Sequence, residues 1–191
     1  IVNTHNNHVW AEDNPHATFI HGHQERFTVN LWAGILNDFL IGPYLMPPRL
    51  NGHNYLVFLQ QVLPELMEDV PLAIRRVMWF QHDGAPAHFT AEVRNHLTQT
   101  FDNRWIGRGG PVTWPARSPD LTPLDFFFWG AMKSIIYSEQ VESEEDLVAR
   151  IVEASETIRH MPEIFQRTQQ SLLRRCDLCR NVGGRNFEHL L

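Results

Sequence analysis

At 191 residues, 43% of them hydrophobic and with 12 Phe and 6 Trp, the chain holds enough apolar mass for one sizeable core and is short for two. Its charged fraction of 20% is too low for an intrinsically disordered chain. A formal net charge of −6 argues mildly against nucleic-acid binding, because neutralising phosphates normally takes an excess of Lys and Arg.

Residues 1 to 25 are polar and hold His5, His8, His16, His21 and His23 at spacings that match no metal-ligand pattern; they read as loop histidines. Ile1 is not an initiator residue, which reads as a chain cut from a longer frame or a decayed copy of one. Phe27, Val29 and Leu31 alternate with polar residues in RFTVNLWAGIL, and NDFLIGPYLM follows at once. This pattern predicts a β-hairpin turning at Asn37-Asp38. Tyr55, Phe58, Leu59, Val62 and Leu66 recur at helical spacing and predict a helix to about Glu68.

RRVMWFQHDGAPAH reads as a buried strand from Val77 to Gln81 that ends in a tight Gly-Ala-Pro turn. Thr90 is placed to cap a helix through Leu97. The Gly- and Pro-rich stretch that follows predicts a loop with a short strand at Val112 to Trp114. Thr122 and Pro123 open a helix through about Ile136. Ser143 and Asp146 form a capping box for the next helix, which buries Leu147, Ile151 and Ile158. A last helix runs from about Pro162 to Arg180 and stops at Gly183-Gly184. The order predicts one mixed α/β domain over residues 1–191. The most apolar stretch, Phe126 to Tyr137, is interrupted by Lys133 and is too short for the ~18 residues or more of a membrane span. Cys176 and Cys179 form a single CxxC, half of a structural zinc set, and read as two reduced thiols.

Two acids stand out by position. Asp83 directly follows the apolar strand and precedes Gly84-Ala85-Pro86, while Asp125 sits one turn into a helix among Phe126, Phe127, Phe128 and Trp129. Carboxylates from separate elements suit a hard cation such as Mg²⁺, which keeps waters and substrate phosphates as its other ligands. Both acids also have ordinary explanations. Asp125 would favour the helix dipole or complete a capping box with Thr122, and Asp83 would bond its own turn backbone.

WFQHDGAPAH and WPARSPDLTPLDFFFWGAMKS resemble the two signature blocks of mariner/Tc-type transposases. The order VNLWAGI, IGPYLMPP, then a helix, is also similar to that family. The resemblance implies an RNase H-like mixed sheet flanked by helices. It makes Asp83 and Asp125 the second and third catalytic, metal-binding acids of a DDD set, with Asp120 passed over because the family places its ligand after the second proline. The family's first acid belongs to a strand upstream of the region matching residues 1 to 35, so the resemblance implies a fragment lacking its first, central strand. Asp13 and Asp38 fit no inner strand and are not promoted. Such a fragment is expected to fold poorly alone and to cut no DNA.

For the parent, the resemblance implies a DNA transposase that cleaves and transfers DNA strands with two Mg²⁺ or Mn²⁺ ions. It also implies a homodimer, DNA ends and target as partners, no membrane, and a nuclear location. Arg108 and Arg117 are candidate phosphate contacts or solvated surface cations, His88 either positions a phosphate or orders the turn after Asp83, and Trp114 is a packing residue or a stacking platform. A second basic cluster is Arg174, Arg175, Arg180 and Arg185. The gap between Asp83 and Asp125 exceeds that of the best-known mariner elements, with the extra length in the loop around GRGG. Alternatives are a decayed or host-adopted remnant that binds nucleic acid without catalysis, and a metal-dependent ribonuclease of similar fold.

Overall fold

A computed structural model describes residues 27–115 and 118–191. The five early histidines, Asp13 and Arg117 lie outside them. The hairpin forms as its alternation predicts. β1 (Asn30–Leu36) pairs antiparallel with β2 (Phe39–Met46), and Asn37 takes a left-handed φ of 50° in the turn, a conformation that Asn tolerates better than most residues. A register shift between Trp32 and Gly34 bends β1.

Alternation gives each face of the hairpin its own core. Ala33 and Leu40 join one buried cluster, with Phe128, Met132, Ile151, Ala154, Ile158 and Phe165. Ile41 and Met46 join the other, with Tyr55, Phe58, Leu63, Val93, Leu97 and Trp105.

The helix expected over Tyr55 to Glu68 is one helical run of three segments: α1 (Gly52–Val57), a π-helical turn (Phe58–Val62) and α2 (Leu63–Leu66). Asn51 caps it by accepting from the Asn54 N–H at 2.9 Å. The buried strand expected from Val77 is different. Leu72–Val77 forms a short helix, α3, and the strand β3 is only Phe80–Gln81. Val77 and Trp79 are 70% and 51% exposed, so the apolar run reflects no continuous burial. Pro71 stands at the N-cap of α3.

Helix α4 (Ala91–Phe101) begins at Thr90, whose side chain makes no capping bond, and runs one turn past Leu97 to Asp102, in the left-handed region. Its successor β4 is Trp105–Ile106, parallel to β3. The strand expected at Val112 to Trp114 is reduced to a single bridge between Val112 and Ile106.

A π-helical turn (Leu124–Phe128) leads into α5 (Trp129–Ile136). Helix α6 (Glu144–Arg159) is capped as expected, with Ser143 Oγ accepting from the Asp146 N–H at 3.1 Å. Its buried face includes Leu147, Ile151 and Ile158. Helix α7 (Ile164–Asn181) ends where Gly184 N–H reaches the Cys179 carbonyl at 2.9 Å, both glycines having positive φ. Cys176 and Cys179 are free thiols. Among the described residues no helix is long and apolar enough to cross a membrane.

The hairpin and the β3–β4 pair are separate two-stranded sheets. Among the described residues no strand joins them. Residues of β1 and of the β3 segment instead line opposite sides of one cleft of about 510 Å³.

Candidate active site

The end of β3 is built by rings. His82 N–H donates to the Ile106 carbonyl at 3.1 Å, extending the parallel ladder by one residue and turning the His82 side chain into the core, where it is 8% exposed. There His82 Nδ1 lies 3.3 Å from the Tyr55 hydroxyl. Its ring meets Trp105 edge-on at 5.7 Å and stacks on His88 at 5.1 Å. Burial, with the neighbouring His88 adding to it, pushes the His82 pKa down to about 4, so the ring is neutral near pH 7. Gly107 is required opposite it, because a Cβ there would lie 2.5 Å from the imidazole. With His82 anchored, Asp83 emerges into the cleft as the next residue.

Asp83 is held by its own turn, as one ordinary explanation anticipates. Its Oδ1 accepts the Ala85 N–H at 3.0 Å and pairs with His88 Nδ1 at 2.6 Å. The His88 bond, then the Ala85 bond, hold the Asp83 pKa down at about 2 against a partial desolvation. His88 therefore orders the turn. The side chain of Asp83 is 68% exposed, open to a ligand as well as tied to the turn.

Asp125 lies in the π-helical turn before α5. Such turns concentrate at functional sites. Its neighbours Phe126, Phe127 and Phe128 are half-buried or buried while Asp125 itself is exposed. Its N–H donates to the Thr122 carbonyl at 3.0 Å. Desolvation raises its pKa, the Thr122 side-chain hydrogen bond lowers it, and the Asp83 charge raises it again. Both aspartates line the same cleft. Two residues far apart in sequence are thus brought onto one surface, where the Asp83 charge opposes the ionisation of Asp125.

The remaining candidates separate. Arg108 is exposed, its guanidinium 4.0 Å over the Phe89 ring, and its side chain stands beside Gly84, next to Asp83. Trp114 is half-buried and lines the cleft. Asp120 pairs with Arg175 at 3.3 Å. The second basic cluster is engaged within the chain: Arg175 also covers Phe126 at 4.3 Å, Arg180 pairs with Asp177, and Arg174 and Arg185 bond the carbonyls of Leu190 and Val182. Arg175 and Arg180 are thus paired with carboxylates, while Arg174 and Arg185 donate only to neutral carbonyls. Reasoning from the sequence missed Tyr55 and His82. The histidine is signalled only by standing before Asp83 at the end of an apolar run.

Chemically, a cleft with two exposed carboxylates from different elements offers hard oxygen donors of the kind a divalent cation takes, and such an ion would relieve their mutual repulsion. The donors fit in kind and fall short in number. Among the described residues no group of three or more His, Cys, Asp or Glu is gathered in metal-binding proximity.

No family model matches the chain. By sequence it is similar to the Tc3 transposase of Caenorhabditis elegans, 25% identical over 112 residues that cover 59% of this chain and 31% of that protein. The match thus spans about a third of its relative's length. By structure it resembles the Mos1 transposase catalytic domain, solved with raltegravir and Mn, at a TM-score of 0.63 and 20% identity, covering 83% of this chain and 82% of that one. The Mos1 mariner paired-end complex with Mn matches at a TM-score of 0.65 and 23% identity, over 79% of this chain and 42% of that one. In fold the chain is similar to the catalytic domain of the Mos1 mariner transposase, and in sequence it is similar to part of a Tc-type transposase.

Proposed function

We propose that the chain is the catalytic portion of a cut-and-paste DNA transposase, with Asp83 and Asp125 as two of its metal-binding catalytic acids. The observation that carries this reading is the shared cleft, where a strand-end aspartate and a helix-borne aspartate face one ligand space and interact electrostatically. Asp83 and Asp125 would hold Mg²⁺ or Mn²⁺, in a two-ion site completed by water, substrate phosphate and the third acid that the family resemblance puts on a separate strand. Bound there, divalent ions lower the pKa of a nucleophile and stabilise charge on the attacking and leaving oxygens of a phosphodiester.

The chain's own residues do the rest. The His82 anchor and the Ala85–His88 turn fix Asp83, while the apolar side chains around Asp125 fix its helix. Arg108, backed by Phe89, sits beside the Asp83 turn as a phosphate contact, and Arg117 is assigned the same role by position in sequence. Trp114 lines the cleft as a platform against which the nucleic acid packs. By the same reading the parent works as a homodimer on transposon ends and target DNA in the nucleus.

The test is magnesium- or manganese-dependent cleavage of the DNA ends flanking the gene that encodes this chain, by the full-length protein. Asp83→Asn and Asp125→Asn are each expected to lower cleavage about a hundredfold or more while leaving DNA retention intact. Undiminished cleavage in both variants would sink the assignment.

A further inference from the structure

Resting on the reading of Asp83 as a metal-binding carboxylate, we infer that His88 is a positioning residue: it reserves Asp83 Oδ1 for the protein and leaves the aspartate to bind a divalent ion through Oδ2 alone. A carboxylate oxygen has two lone pairs to offer. On Asp83 Oδ1 two donors are in place, the Ala85 N–H at 3.0 Å and His88 Nδ1 at 2.6 Å. Both bonds fall on the same oxygen, so that oxygen is saturated and a bidentate grip on a metal would have to break one of them.

The imidazole that makes the shorter bond is not free to swing. It lies nearly parallel to His82, at 6° and 5.1 Å, and 4.2 Å from the ring of Tyr55. Its side chain is 15% exposed. Tyr55 and His82 are themselves buried and joined at 3.3 Å. The backbone fixes the reach, because His88 N–H donates to the Ala85 carbonyl at 2.9 Å within the 3₁₀ turn Pro86–Phe89. Three rings anchored in the core thus end in one N–H aimed at one oxygen. Partners of this kind orient metal ligands, and losing one typically costs 10–100-fold in metal affinity. Single-oxygen ligation also suits the near-octahedral demand of Mg²⁺ better than a chelating carboxylate.

Manganese binding, followed by the electron paramagnetic resonance signal of free Mn²⁺, tests this in the full-length protein and three variants. Asp83→Asn removes the ligand. His88→Phe keeps a ring against Tyr55 and His82 but loses the donor. His88→Asn loses the ring but carries an amide N–H near the Nδ1 position. The expected order is a loss of about 10–100-fold in Mn²⁺ affinity for His88→Phe and recovery of most of it in His88→Asn. Wild-type affinity in His88→Phe, or an equal loss in both His88 variants, overturns the inference. Should His88→Phe fail to fold by near-ultraviolet circular dichroism, His88→Asn decides alone: near-wild-type affinity supports the donor role and a hundredfold loss overturns it. Undiminished Mn²⁺ binding in Asp83→Asn instead refutes the metal role of Asp83 itself, a different failure.

Discussion

On one face of the β1–β2 hairpin, Ala33 and Leu40 pack against Phe128, Ile151, Ala154 and Ile158, the last three from one turn after another of α6. On the other, Ile41 and Met46 meet Tyr55, Leu97 and Trp105, residues drawn from short, scattered elements. Both sides bury their large side chains, but they treat polar groups differently. Among the described residues, five buried side-chain atoms lack a hydrogen-bond partner: Arg75 Nε, His82 Nε2, Thr90 Oγ1, Arg94 Nε and Arg104 Nε. All five belong to the β3–β4 side. On the helical side Arg150 alone satisfies four acceptors, the carbonyls of Ile136, Glu139 and Gln140 and the Asp146 carboxylate. A buried group left unpaired costs about 1–3 kcal/mol. Among the described residues, the cost of unpaired polar atoms therefore falls on the half that holds Asp83, and the helical half is free of it.

The largest effect should fall on the helical side. Phe128→Ala, at a fully buried position, is expected to cost about 3–5 kcal/mol in urea unfolding; a cost under ~1 kcal/mol would break the contrast. The site side should instead show itself through pH. Because the folded His82 pKa is depressed to about 4 from 6.5, the unfolded chain binds the extra proton between those values. Stability should be intact above pH 6.5 and fall by up to about 3 kcal/mol as pH drops toward 4. A His82→Phe variant should lose that slope, and a slope unchanged by the substitution would place its origin elsewhere.

Gly107→Ala sharpens the comparison at close range. Its Cβ would press on the wedged His82 ring, and a loss of about 1–3 kcal/mol in thermal unfolding is expected, with no loss if the ring has room to move. The smallest effect belongs to the helix cap. Ser143→Ala should cost ~1 kcal/mol, measured by denaturation, and should leave Mn²⁺ binding at the cleft untouched.

What could be read in the sequence divides along the same line. The hairpin, the Ser143 cap, the buried face of α6 and the Gly183-Gly184 stop were legible because each is fixed by neighbours in the chain. Strands β3 and β4 were legible only in part. A two-residue parallel strand exists because of a partner more than twenty residues away, and neither Phe80–Gln81 nor Trp105–Ile106 carries a periodicity long enough to see. Val77 to Trp79 read as strand because it is apolar, yet its exposure shows that apolar character alone does not report burial. The two aspartates were legible as a pair through pattern, while the rings beneath Asp83 were not, since stacking among Tyr55, His82 and His88 leaves no spacing rule in the chain.

The four bonds of Arg150 give the helical half a mechanical meaning. Three of them, to the carbonyls of Ile136, Glu139 and Gln140, hold the C-terminal end of α5 and the turn after it, while the π-helical lead-in carries Asp125 at the opposite end. From Leu124 to Ile136 the rod is about 20 Å long at ~1.5 Å per residue, so a tilt of one degree about the clamp swings the far carboxylate by about 0.3 Å. Reactive groups tolerate errors of only about 0.5 Å. An arginine remote from the cleft thus sits at the fixed end of the rod that carries that carboxylate.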